Sequence, residues 1–393
     1  MRSALISIAG QPRAAADKGV TGFAGKSLAR RQLDFALAAG AEQIVLLGDG
    51  AAPEAIALRH TAESAGAKVL AIANGHGLLG AVRAADHLLV LAPGVLPEAP
   101  IVLEMLGKGS SLLVVPAAQG VAAGFERIDL ERAWAGALVV QGGLVERLAE
   151  LTPDSDPAAA LLRIALQAKV AERRVPEATL ADGSWAMLGS DAEAAAAEQA
   201  WMKRNLPQAP RNQPARWLAT LVLRQLAARL LQQRRAAVLL AGGAGVMLAA
   251  AVASSSAGWA VAGFALVALA VLVGELSAGV SRLASAPFAP GRRARLAATA
   301  MGLAVDLALA ACAVLAIEQA WLHRLFPPLV LIGLLHALRP ETWTGTRALL
   351  GDRLLLPLVL GGAAALGVAE AAVMALALLM IGFEAAQTLE RRG

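Results

Sequence analysis

Residues 236–393 hold only ten Arg or Lys and eight Asp or Glu in 158 positions, and most of the remainder falls into long apolar runs. Crossing a hydrocarbon core of about 30 Å takes roughly 20 apolar residues in a helix. Six runs come near that length: about 236–254, 257–280, 296–317, 325–338, 353–368 and 370–389, the fourth and fifth being short. Loop charge tests the count independently, because Lys and Arg resist translocation and collect on the cytoplasmic side. With the first run entering from inside, the inner loops and tail hold Arg282, Arg292, Arg293, Arg295, Arg339, Arg347, Arg353, Arg391 and Arg392, and the outer loops hold Arg324 alone. An odd number of spans would spoil that asymmetry. The expectation is an all-α polytopic membrane domain of about six transmembrane helices in the cytoplasmic (inner) membrane, with both termini cytoplasmic. A large buried helical core of a soluble protein is the competing reading.

In front of the first run lies a basic stripe. Residues 203–235 carry eight basic residues and no acidic one, whereas residues 1–202 carry 17 basic and 22 acidic groups, a net charge of −5. The chain's +5 is therefore local. A basic run directly before apolar segments reads as a cytoplasmic anchor rather than a nucleic-acid surface, and no nucleic-acid partner is expected. Trp217, Leu218, Leu221, Leu226, Leu230 and Leu231 alternate with Arg216, Arg224, Arg229, Arg234 and Arg235, which suits an interfacial helix on anionic headgroups of the bilayer. A plain linker helix is the alternative. The single cysteine, Cys312, excludes a disulfide within one chain and a cysteine-based zinc site.

Residues 1–202 change register. Short apolar runs at 4–9, 43–47, 68–72, 87–91, 111–115 and 137–140 alternate with helical stretches at 27–39, 53–65 and 157–168, a βα rhythm that predicts an α/β N-terminal domain with a mostly parallel sheet. The first ten residues, with one Arg and a short apolar run ended by Gly10, Pro12 and Arg13, read as a buried strand rather than a signal peptide, which leaves this domain in the cytoplasm. Ligands of such sheets bind beyond the carboxyl ends of the strands, so the first strand exit, Ala9 to Arg13, is where a nucleotide phosphate would sit. Asp86, just before a strand, reads as a solvated turn residue.

Gly10, Arg13, Asp17 and Lys18, then Gly25, Lys26, Ser27 and Leu28 opening a helix that ends at Ala39, Gly40 and Ala41, resemble the start of a MobA-like or sugar-phosphate nucleotidyltransferase. Gly183 to Asp191, with Trp185, Met187, Leu188 and Gly189, followed by the Ala-rich stretch 192–202, resembles that family's closing segment. The resemblance implies a nucleotide-diphospho-sugar transferase-like fold and nucleotide binding by Gly10, Arg13, Lys18 and Lys26. It also implies two carboxylates holding a divalent cation on the triphosphate. One should follow the strand ending at Leu91, where Ala92, Pro93, Gly94 and Val95 stand, and the other should lie two residues before Gly189, where Met187 stands. Pro12 further removes a donor N–H from the phosphate loop.

A nucleotidyltransferase-like domain at 1–202, a basic juxtamembrane segment at 203–235 and a six-span domain at 236–393 together resemble fused enzymes whose second half is a CDP-alcohol phosphotransferase. That family carries D-x-x-D-G-x-x-A-R, a spacer, and G-x-x-x-D-x-x-x-D at the cytoplasmic ends of its second and third spans, with Asp side chains holding two divalent ions. The corresponding residues here run from Gly274 to Arg282 and from Gly302 through Asp306 to Ala310. Arg282, Gly302 and Asp306 fit, whereas Gly274, Ser277, Ala278 and Ala310 depart from the motif. Glu275 is one position off, about 100° round a helix. The resemblance implies Asp306, Glu275 and Arg282 as a residual catalytic set, Asp306 as the residual metal ligand, and Mg²⁺ or Mn²⁺ as the cofactor of an active form. An ionisable group inside a span is a default site candidate, with a Glu275–Arg282 ion pair as the structural alternative. His336, Glu370 and Glu384 lie near span ends, where snorkelling satisfies them.

Two function classes remain open. One is a membrane transferase that moves a phospho-alcohol group from a CDP-linked donor in phospholipid or polyol-phosphate headgroup assembly. The other is a relative with eroded motifs in both halves, acting as a subunit or regulator through a homodimer or an active phosphotransferase partner. A transporter would need paired interrupted spans or a polar midplane pathway.

Overall fold

The computed structural model of the chain describes every residue except 9–24, 108, 153–154, 207–210, 234, 289–291, 339–348 and 391–393. Two compact units divide it, Met1–Asn205 and Leu206–Gly393.

The first unit is built on β1 (Arg2–Ser7), β2 (Gln43–Leu47), β3 (Lys68–Ile72), β4 (His87–Leu91), β5 (Val95–Pro97), β6 (Ser111–Pro116), β7 (Arg132–Gln141), β8 (Glu172–Arg174) and β9 (Trp185–Met187). Its helices are α1 (Leu28–Ala38), α2 (Pro53–Ser64), α3 (Pro100–Leu106), α4 (Ala117–Ala122), α5 (Gly142–Val145), α6 (Pro157–Gln167), α7 (Glu177–Ala181) and α8 (Asp191–Asn205). Seven strands form one sheet in the order β3-β2-β1-β4-β7-β6-β8, and β5 pairs with β9 apart from it. The sheet is mostly parallel, as the βα rhythm predicts. β7 alone runs antiparallel, to both β4 and β6.

Neighbouring residues on β1 point to opposite faces, yet Ala4, Leu5 and Ile6 are all buried, as are Ile44, Val45 and Leu46 on β2. Both faces are therefore covered, which is why these strands read as continuous apolar runs rather than alternating ones. The helix starts follow local chemistry. Ser27 Oγ accepts the Arg30 N–H at α1, and Asp156 accepts the Ala158 and Ala159 N–H groups at α6, where Pro157 needs no partner. β8 escaped the hydropathy reading because it is a charged edge strand, Glu-Arg-Arg, a composition that blunts edge-to-edge pairing.

Asp86 is a correction to the sequence reading. Rather than sitting in a solvated turn, it is buried, bonds the Met1 amino group at 2.9 Å and caps the Arg83 N–H. The hydrogen bond from that amino group holds its carboxyl below the usual range.

The second unit is helical: α9 (Pro214–Gln232), α10 (Ala236–Ser256), α11 (Ala260–Ser285), α12 (Arg292–Ala316), α13 (Trp321–Ala337), α14 (Leu355–Ala365) and α15 (Ala369–Glu390). Among the described residues three helices are long and apolar enough to cross a membrane: α10, α11, and the stretch Ala294–Ala316 of α12. α14, expected as a span over 353–368, has 11 residues and reaches about 16 Å. Asp352 caps its start by accepting the Leu354 N–H at 2.9 Å, and Gly367, at φ 72, follows its last turn.

α9 lies within the basic stripe, with Leu218, Leu221 and Leu226 among its apolar side chains. Its buried stripe is Ala215, Ala219, Leu223, Ala227 and Leu231, four residues apart, and those three leucines are exposed. The stripe packs on α11, where Leu223 lies 3.1 Å from the point a Cβ on Gly279 would occupy. Small side chains decide the docking face, because they let two helices approach. The helix is thus part of the second unit and not a free linker.

Candidate functional sites

In the first unit the turn from β4 to β5 is the strand exit at which the nucleotidyltransferase resemblance calls for a carboxylate. Gln32, on α1, holds it by donating from Nε2 to the carbonyls of Ala92 and Val95, both at 2.9 Å. Gly94 turns the chain at φ 87, and its carbonyl accepts the Leu188 N–H at 2.8 Å. Val95 pairs with Met187 across β5 and β9. Two stretches some ninety residues apart, the two that should each carry a carboxylate, therefore stand side by side. What meets there is glycine backbone and a thioether: a Cβ on Gly94 would come within 3.0 Å of Met187 Sδ, and one on Gly136 within 3.4 Å of Met187 Cε.

Gly94→Ala is expected to destabilise this turn by about 1–3 kcal/mol, through a left-handed backbone and a contact at 2.9 Å with the fixed Leu188 carbonyl. A fall in the midpoint of denaturant unfolding, read by protease resistance of the first unit, checks it.

Of the nucleotide-binding candidates, Gly10, Arg13 and Lys18 lie outside the described residues. Lys26 bonds Asp34 Oδ2 at 2.6 Å, while Arg30 Nε bonds the other oxygen of Asp34 at 3.0 Å. Burial pushes the Lys26 amine below its usual range, and the Asp34 charge opposes that shift. Beside this cluster is one that motif reasoning passed over. Arg31, on α1, forms a buried ion pair with Glu98, and its guanidinium lies 4.5 Å from the ring centroid of Trp201 on α8. Burial drives the Glu98 carboxyl up and the Arg31 guanidinium down, each against the pull of its partner. Arg204 donates to the Gly183 carbonyl at 3.2 Å, which ties the end of α8 to the start of the closing segment.

In the second unit Asp306 is buried in α12 and both its oxygens are taken. Arg353 donates from Nε to Oδ1 and from Nη2 to Oδ2, each at 2.9 Å, and His336 Nε2 stands 3.5 Å from Oδ2. This is the planar two-point geometry that a guanidinium makes with a carboxylate. Gly302 lies beside the guanidinium, where a Cβ would make ordinary contact with Arg353 Nη1 at 3.8 Å. Glu275 is committed elsewhere, its Oε2 lying 3.8 Å from Arg216 Nε and 3.9 Å from Arg282 Nη2. The Glu275–Arg282 pair is the structural alternative posed by the sequence, with Arg216 added. Ser277, at a motif aspartate position, donates to the Ala237 carbonyl at 2.7 Å and so pins α11 to α10. Gly274, at the other, faces Met301: a Cβ there would lie 3.4 Å from Met301 Cγ.

These donors do not fit a divalent ion in the family's manner. A metal needs several oxygen ligands converging on one point, whereas Asp306 and Glu275 face different arginines, and among the described residues no three His, Cys, Asp or Glu side chains group together. Arg353, Arg216 and Asp352 escaped the motif reading because they come from other helices and loops. Only the pairing of an acidic with a basic residue just ahead of an apolar run hinted at Asp352 and Arg353.

The sequence matches no protein-family model and no curated protein.

Proposed function

We propose that this is a membrane protein of phospholipid or polyol-phosphate headgroup biosynthesis, built like a fused nucleotidyltransferase and CDP-alcohol phosphotransferase, in which metal-dependent catalysis has been lost and the chain serves as a subunit or regulator. The observation that carries the reading is the Asp306–Arg353 pair, in which a guanidinium occupies both oxygens of the one motif aspartate that remains. The first unit supports it independently, because the paired strand exits at Gly94 and Met187 meet without a carboxylate. In this reading the second unit holds about six membrane segments, α14 being a short one, with both termini in the cytoplasm, and the arginines of α9 face anionic headgroups. The partner is a second copy of the chain or an active phosphotransferase.

Purified full-length protein in detergent with Mg²⁺ or Mn²⁺ is expected neither to form a CDP-polyol from CTP and a polyol phosphate nor to release CMP from a CDP-alcohol. Turnover that disappears in Asp306→Asn would overturn the proposal in favour of an active transferase.

A further inference from the structure

Two arginines of the second unit share one carboxylate without a hydrogen bond between them and it. Arg216 Nε and Arg282 Nη2 stand 3.8 and 3.9 Å from Glu275 Oε2, and that oxygen is buried with no hydrogen-bond partner among the described residues. Both arginine side chains are about half exposed, 48% and 49%. Arg216 also donates from Nη1 to Gln213 Oε1 at 3.1 Å. These three side chains carry two positive charges against one negative, and the nearby Asp352 carboxylate is taken by the backbone N–H groups of Ala215, Leu354 and Leu355.

The arrangement is anchored rather than a loose surface patch. The Ala215 N–H, one residue before Arg216, donates to Asp352 Oδ2 at 3.3 Å, which pins the first turn of α9 to the start of α14. Leu223 against Gly279 fixes the same helix to α11 three residues before Arg282. The contacts of α9 with Asp352 and with α11 thus bring Arg216 to the same place as Arg282. Guanidinium groups prefer planar, two-point contacts with tetrahedral oxyanions and are weakly hydrated, so a pair of them lacking full counter-charge suits a phosphate.

We propose that Arg216 and Arg282 form a metal-independent clamp for a phosphate group, with Glu275 as the built-in competitor that occupies the clamp when no phosphate is bound. The inference stands on this charge cluster and does not require the family reading. The phosphate comes from a lipid headgroup or from a water-soluble phosphomonoester, and the test separates the two.

Full-length protein in detergent containing EDTA is titrated calorimetrically with dihexanoyl phosphatidic acid and, separately, with glycerol 3-phosphate. Saturable binding of at least one probe is expected, weakened about ten-fold by Arg216→Gln or Arg282→Gln and changed less than about two-fold by Arg163→Gln, an exposed arginine of the first unit. Glu275→Gln is expected to tighten binding several-fold, a gain that a folding defect does not produce, and it decides the matter if an arginine variant fails to fold. Binding of the lipid alone assigns a headgroup, and binding of glycerol 3-phosphate assigns a soluble ligand. Saturation by neither probe, equal weakening by Arg163→Gln, or no gain in Glu275→Gln would overturn the clamp. Turnover in the CTP and CDP-alcohol assays would overturn the loss of catalysis and leave the clamp untouched.

Discussion

Glu98→Ala is expected to destabilise the first unit by about 3–5 kcal/mol, the usual penalty for removing one member of a buried ion pair. Arg31 and Glu98 are 4% and 2% exposed, and Trp201 closes over the guanidinium. Removing the carboxylate takes the strongest opposing charge from a buried arginine that cannot shed its proton. Glu98 Oε2 is itself buried with no hydrogen-bond partner among the described residues, so the pair is not ideally satisfied in the native state. Replacing both residues, Arg31→Met with Glu98→Leu, should therefore recover most of the loss, because apolar side chains of similar volume often equal a buried ion pair. Denaturant unfolding of the full-length protein, followed by protease resistance of residues 1–205, gives both numbers. A single variant as stable as the parent would mean that the pair does not hold Arg31 in the core.

The second large effect is expected at Arg353. Arg353→Leu leaves Asp306, 2% exposed, with His336 as the remaining basic group beside it. Breaking a buried pair by removing one partner typically costs about 3–5 kcal/mol. The Arg353 side chain is 42% exposed, so water enters the gap and the expected loss is nearer about 2–3 kcal/mol. Asp306→Asn in the Arg353→Leu background removes the stranded charge and should restore part of the stability. The check is the thermal midpoint in detergent for the two single variants and the double variant. Additive losses would mean that the two side chains do not act as a pair.

Much of the fold was legible in the residues. β2, β3 and β4 fall at 43–47, 68–72 and 87–91 as read, because buried parallel strands are continuous apolar runs bounded by helix signals. The short strands were not legible. β5 and β9 have three residues each, and their pairing depends on a partner some ninety positions away. The candidate sites were legible only in part. Asp306, Glu275 and Arg282 stood out as ionisable groups in or beside apolar runs, which is a local signal. That Asp306 answers to Arg353, that Glu275 answers to Arg216 as well as Arg282, and that Arg31 lies under Trp201 are contacts between distant segments.

What the sequence determined by itself is the division of the chain: an acidic α/β unit, a stripe of eight positive charges, and an apolar helical unit. Charge and hydropathy settle these because each residue's transfer between water and an apolar environment is a property of its own side chain. What only the tertiary structure decided is which charge meets which. An ion pair depends on distance and burial, and these follow from how helices and strands far apart in sequence pack, as when the alanine and leucine stripe of α9 carries Arg216 to Glu275.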